Sequence, residues 1–226
     1  MTRTTNARIA GFTFLFYIAT GVTAMVLFNQ ATGAGGIAAK LAGVAQHSAG
    51  VRLSVVLSLV MVLNALVLAV TLYAITRDED PDLALLALSC RIGEGVINAI
   101  PVIATVGLLW VATGAVGAAA SDAAAANALG AFLFEVLDWC FLIGATVFAV
   151  GSTLFAYLFL RARSIPVWLA WLGVVGSVLL VVFLPAQLAG LISGLVTDLI
   201  WVPLAIFEVV LGFWLLIKGV AVPEMR

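Results

Sequence analysis

The chain has 226 residues, 65% of them hydrophobic and only 9% charged, with a formal net charge of −1 and a mean hydropathy of +1.26. A soluble domain carries roughly 25% charged and about 45–50% apolar residues, so this chain has too little polar side chain to coat a water-facing surface. Without a basic excess it is not expected to bind nucleic acid, and one histidine with two cysteines leaves no set for a disulfide framework, a zinc cluster or a bis-histidine haem.

Crossing about 30 Å of hydrocarbon takes a helix of about 20 residues. In chain order the stretches that qualify are Ile9–Phe28, Leu53–Thr76, Leu83–Thr113, Leu129–Leu160, Ile165–Leu184 and Asp198–Gly219. The expected fold is all-α: a polytopic six-helix transmembrane bundle with short loops, forming a single integral membrane domain over residues 1–226. Arg3 and Arg8 give the first stretch the charged start of a signal peptide, but its apolar run is too long for one, and a retained helix is expected. Gly33–Gly50 places Ile37, Leu41 and Val44 at i, i+4, i+7 with Lys40 and His47 off that stripe, the pattern of a short helix lying in the interface. Arg77–Asp82 and Arg161–Ser164 are tight turns, and Pro81 suits the first turn of the helix that follows. Pro101 frees the carbonyl of Ile97 inside the third span and is expected to kink it. The loop around Gly114–Asn127 is almost all alanine and glycine, and Ala186–Thr197 reads as a surface or re-entrant segment. Gly173, Gly176 and Ser177, like Gly190 and Gly194, are read as small residues for close helix contact.

Orientation follows from lysine and arginine. With the N-terminus inside, Arg3, Arg8, Arg77, Arg161, Arg163, Lys218 and Arg226 share one side, against Lys40 and Arg52 on the other. Both termini are therefore expected to be cytoplasmic.

Ionisable groups buried in hydrocarbon cost roughly 2.5–3.5 kcal/mol each on insertion scales, so those present need a reason. At about 1.5 Å per residue from the inner helix ends, Arg91, Glu94, Glu208 and Asn64 fall in one layer near the membrane's middle. The expectation is that Arg91 pairs with Glu94, its i, i+3 neighbour, and with Glu208, assisted by Asn64, in a candidate binding site. Purely structural glue between helices is the competing reading. A second layer lies higher: Glu135 and Asp138 at i, i+3, with Asp198 and Arg52, form a candidate outer polar cluster, for which reach to headgroups and water is the favoured competing reading. Cys90 and Cys140 are expected to be inert packing, and His47 a surface residue. No catalytic residues, cofactor or metal site are expected: a serine nucleophile has no histidine at membrane depth, and a lone histidine cannot supply a metal hydrolase.

Several of these stretches resemble one known family. Ala7-Arg8-Ile9-Ala10-Gly11-Phe12 is similar to its opening, as are Leu85-Leu86-Ala87-Leu88 followed by Arg91 and Glu94. So are Phe141-Leu142-Ile143-Gly144 leading to Tyr157-Leu158, and Glu208 with Trp214-Leu215-Leu216-Ile217-Lys218-Gly219-Val220. The likeness, to an uncharacterised bacterial multi-pass family named domain of unknown function 4386, covers nearly the whole chain. It departs where Asp138 is followed by Trp139-Cys140 instead of a histidine or glycine-rich turn. The resemblance implies a bacterial integral membrane protein and no particular activity.

Two functions from different classes fit these residues. One is a protein that binds or transports a small polar solute or a proton at the Arg91, Glu94 and Glu208 layer. The other is a non-catalytic accessory or scaffold subunit packing against lipid, a membrane partner or a second copy of the chain. Glu94 and Glu208 each occupy the third span of one half of the chain, an arrangement compatible with inverted repeats.

Overall fold

The computed structural model describes residues 2–33, 35–116 and 120–221. Arg226 and residues 117–119 of the alanine-rich loop lie outside the described residues. Among the described residues the secondary structure is helical throughout: α1 (Arg3–Thr32), α2 (Ile37–Gln46), α3 (Ser48–Thr76), α4 (Pro81–Gly114), α5 (Ala120–Arg161), α6 (Val167–Leu188), α7 (Leu195–Leu199) and α8 (Val202–Ile217). Six segments are long and apolar enough to cross a membrane: α1, α3, α4, α5, α6 and the α7–α8 stretch Leu195–Ile217. Helices are what such sequences must form in lipid, because every backbone N–H and C=O has to be satisfied within its own segment. Threonines obey the same constraint. Thr13, Thr71, Thr146 and Thr153 each donate to the carbonyl four residues earlier, at 2.8–2.9 Å, so their hydroxyls need no partner helix.

The chain packs as two compact units, one of Met1–Ile18, Leu63–Val96 and Leu142–Arg226, the other of Ala19–Val62 and Ile97–Phe141. They do not follow the two halves of the sequence, since α1, α3, α4 and α5 each contribute to both.

The first unit is built on Leu68, Leu72, Phe155, Phe159, Leu169, Leu204 and Leu211. Glycines set its helix spacing. A Cβ on Gly173 would lie 2.6 Å from the Phe207 ring and one on Gly176 2.9 Å from the Leu204 backbone, so α6 and α8 meet through small residues as expected. Gly11 likewise abuts the backbone of Gly212 and Leu216, bringing α1 onto α8. Ser177, fully buried, donates to the Gly173 carbonyl at 2.6 Å and meets Thr153 of α5 at 2.9 Å.

The second unit buries Leu41 and Val44 of α2 among Val51, Leu108 and Val111. The short helix is thus present where the sequence places it, but its apolar stripe turns onto protein instead of lipid. Gly43, which sits against the Ala31 carbonyl, allows that approach. His47 is exposed at the end of α2, its Nδ1 3.1 Å from the Gly43 carbonyl. Cys90 and Cys140 are both free thiols.

Three local features differ from the sequence reading. α6 continues through Pro185 to Leu188, because a proline removes a single backbone donor while the packing around it persists. The last span is broken at Ile200–Trp201 into α7 and α8, with Pro203 in the first turn of α8. Gly190 and Gly194 are turn residues at φ of 72° and 76°, facing open space instead of another helix; a side chain there would meet the left-handed backbone penalty. Pro81 does open α4, and Asp80 ahead of it accepts from the Leu83 N–H at 3.1 Å, a cap worth about 1 kcal/mol. Arg161 closes the same corner, 2.9 Å from Glu79 and 3.1 Å from Asp80.

Candidate functional site

Arg91 is the largest fully enclosed side chain among the described residues, 1% exposed, and Glu94 one turn on is 2% exposed. Their i, i+3 spacing on α4 puts both groups on one face, and Arg91 Nη1 lies 2.9 Å from Glu94 Oε2. The other side of the carboxylate is also held: Tyr17 of α1 donates its hydroxyl to Glu94 Oε1 at 3.0 Å. The guanidinium is sandwiched electrostatically, with its carbon 4.7 Å from the centre of the Phe148 ring of α5 and 5.8 Å from that of Tyr17. Such a ring contact in a desolvated site contributes about 2 kcal/mol or more. Gly151, one turn beyond Phe148, lets α5 approach α4 beside Arg91: a Cβ there would stand 3.0 Å from Cys90 Cβ and 3.2 Å from the Ala87 carbonyl oxygen.

The guanidinium nevertheless remains short of hydrogen bonds. The contact to Glu94 is short but out of line with the N–H bonds, and none of Nε, Nη1 and Nη2 makes a hydrogen bond. Five N–H donors enclosed without acceptors carry a large desolvation penalty. Beside them runs a small cavity, lined by Arg91, Ser152, Phe14 and Phe207 among others, with about 10 Å³ open to a water's centre. That is room for about one water molecule.

The remaining members of the expected layer are placed differently. Glu208 on α8 is half-buried, and its Oε1 is enclosed with no hydrogen-bond partner. It makes no ion pair with Arg91 among the described residues; the two act on each other only through their fields. Asn64 does not join the group. Its Nδ2 donates to the Thr13 backbone carbonyl at 2.7 Å, tying α3 to α1, because the Thr13 hydroxyl turns back to its own helix and leaves that carbonyl accessible. Of the outer set, Arg52, Glu135 and Asp138 in the second unit are exposed, and so is Asp198 in the first. None of the four forms an ion pair among the described residues.

Tyr17, Phe148 and Gly151 were not legible as site residues. Tyr17 carried a usable signal, since a phenol in the middle of an apolar span needs a hydrogen-bond partner. Phe148 and Gly151 carried none, being ordinary residues of an apolar helix.

The sequence profile of one family, described as Domain of unknown function (DUF4386), matches residues 9–219. The chain belongs to this family. Tyr17, Arg91, Glu94, Phe148, Gly151 and Glu208 all fall inside the matched stretch, so the buried group lies within the DUF4386 domain. Nothing matches among curated proteins or among solved structures. This DUF4386 chain is a multi-pass membrane protein with a buried Arg91–Glu94 pair.

Proposed function

We propose that the protein binds and exchanges a proton at the Arg91, Glu94 and Glu208 group, as part of moving a proton or a small polar solute across the bacterial inner membrane. The observation that carries this reading is the enclosed guanidinium with no hydrogen-bonded nitrogen, within electrostatic reach of a Glu208 oxygen that also lacks a partner. One guanidinium neutralises one carboxylate. A second carboxylate in a low-dielectric interior leaves uncompensated charge, which costs several kcal/mol, and a proton removes it. The cavity beside Arg91 holds about one water, a size that suits a proton carrier better than an organic solute. Tyr17 holds Glu94 as the fixed counter-ion, leaving Glu208 as the exchanging group. No catalytic residue is assigned. Both termini are assigned to the cytoplasmic side on the distribution of lysine and arginine.

Infrared spectroscopy of the protein in lipid films, titrated with pH, tests the reading. The expected result is a carbonyl stretch of a protonated carboxyl that shifts in heavy water and vanishes in Glu208→Gln. Absence of such a band in the wild type would overturn the proposal.

A scaffold role is the second reading, favoured by one observation. Ile103, Val106 and Trp110, at i, i+3 and i+7 on the part of α4 that belongs to the second unit, are 72%, 49% and 75% exposed. Such a stripe suits a lipid surface or a partner helix, including one from a second copy.

A further inference from the structure

A separate polar site lies at the end of the first unit, where the α5–α6 turn meets the end of α8. Arg163 to Pro166, Trp214 and Lys218 to Ala221 together line a cleft of about 410 Å³. Ser164 is 3% exposed, and its hydroxyl has no hydrogen-bond partner. The Ser164 carbonyl accepts from the Ala221 N–H at 2.9 Å, which fastens the two walls together. On these walls stand two exposed cations, Arg163 and Lys218, and neither forms an ion pair among the described residues. Arg163 has a φ of 49°, the one positive value outside glycine among the described residues. Left-handed backbone at a residue with a Cβ is disfavoured, and such outliers gather at functional positions. The cleft also includes Pro166, which starts α6 without any side-chain cap, so the positive end of that helix adds to the field.

We propose that this cleft binds the phosphate of an anionic phospholipid headgroup, with Arg163 and Lys218 neutralising its charge and the Ser164 hydroxyl donating to it. The surroundings select a lipid over a free anion. The cleft lies where two membrane-crossing segments end, α6 beginning at Val167 and α8 finishing at Ile217. Val167 and Ile217 are 48% and 67% exposed, an apolar flank for acyl chains, and Trp168 at 60% is placed as interfacial tryptophans are. Neither this ligand nor this site depends on proton exchange at Arg91.

Native mass spectrometry of the detergent-solubilised full chain tests it, with equal amounts of phosphatidylglycerol and phosphatidylcholine of matched acyl chains added. A retained single phosphatidylglycerol is expected. Basic residues near a membrane surface each contribute about fivefold in affinity, so R163Q/K218Q should lower retention roughly 25-fold. Ser164→Ala should lower it several-fold, while Arg77→Gln, an exposed cation of another turn, should leave it unchanged. Equal retention of phosphatidylcholine, full retention by the double variant, or an equal loss with Arg77→Gln would each overturn the site. Displacement of the lipid by equimolar inorganic phosphate would overturn the lipid as its ligand.

Discussion

Two sets of charged side chains ride on the long helices of this protein and meet different fates. Arg91 and Glu94 are 1% and 2% exposed and lie against each other, whereas Arg52, Glu135, Asp138 and Asp198 are exposed and unpaired among the described residues. The direction each side chain faces separates the two sets. A charge turned between helices of an apolar bundle has only protein to answer it, so the helices must bring a partner. A charge on an outward position, whether near a helix start like Arg52 or well inside α5 like Glu135 and Asp138, asks for no protein partner and imposes nothing on packing. The inner set therefore organises the fold around itself, and the outer set does not.

The variants that press hardest on this contrast remove the guanidinium. Arg91→Ala leaves Glu94 enclosed without its counter-charge, and a loss of about 3–5 kcal/mol is expected, read as the shift in unfolding when mixed micelles are titrated with a denaturing detergent. Tyr17→Phe removes only the hydroxyl that Glu94 accepts, so the same titration should show about 1.5–3 kcal/mol. For Gly151→Ala the added methyl would stand 3.0 Å from Cys90 Cβ and 3.2 Å from the Ala87 carbonyl oxygen, so α4 and α5 must give slightly, at a cost of about 1–3 kcal/mol for overpacking. At the other extreme, Arg52→Gln and Asp138→Asn should stay within about 0.5 kcal/mol of wild type. A cost above 2 kcal/mol for either would show that the outer residues are as structurally engaged as the inner ones.

How much of this was readable beforehand depends on the range of the interaction. The spans follow from local hydropathy, and so does α2, whose Leu41 and Val44 stripe needs only a helical period. The Arg91–Glu94 pair was readable for the same reason: both residues lie on one helix, three positions apart. What failed were relations between helices. Layering by height grouped Glu208 and Asn64 with Arg91, but height says nothing about rotation around a helix axis: Glu208 makes no ion pair with Arg91 among the described residues, and Asn64 donates to the Thr13 carbonyl instead. Tyr17 and Phe148 escaped because each sits on a helix other than α4. Gly190 and Gly194 were misjudged because glycine serves equally as a packing residue and as a left-handed turn, and only the backbone angles separate the two uses.

The most direct measurement of the central claim is a double-mutant cycle of Arg91→Met and Glu94→Gln, scored by reversible unfolding in micelles. If the two side chains hold each other inside the protein, the double variant should be more stable than the sum of the single losses predicts, by about 1–3 kcal/mol. Strictly additive losses would mean that each charge is accommodated on its own, and would contradict the account.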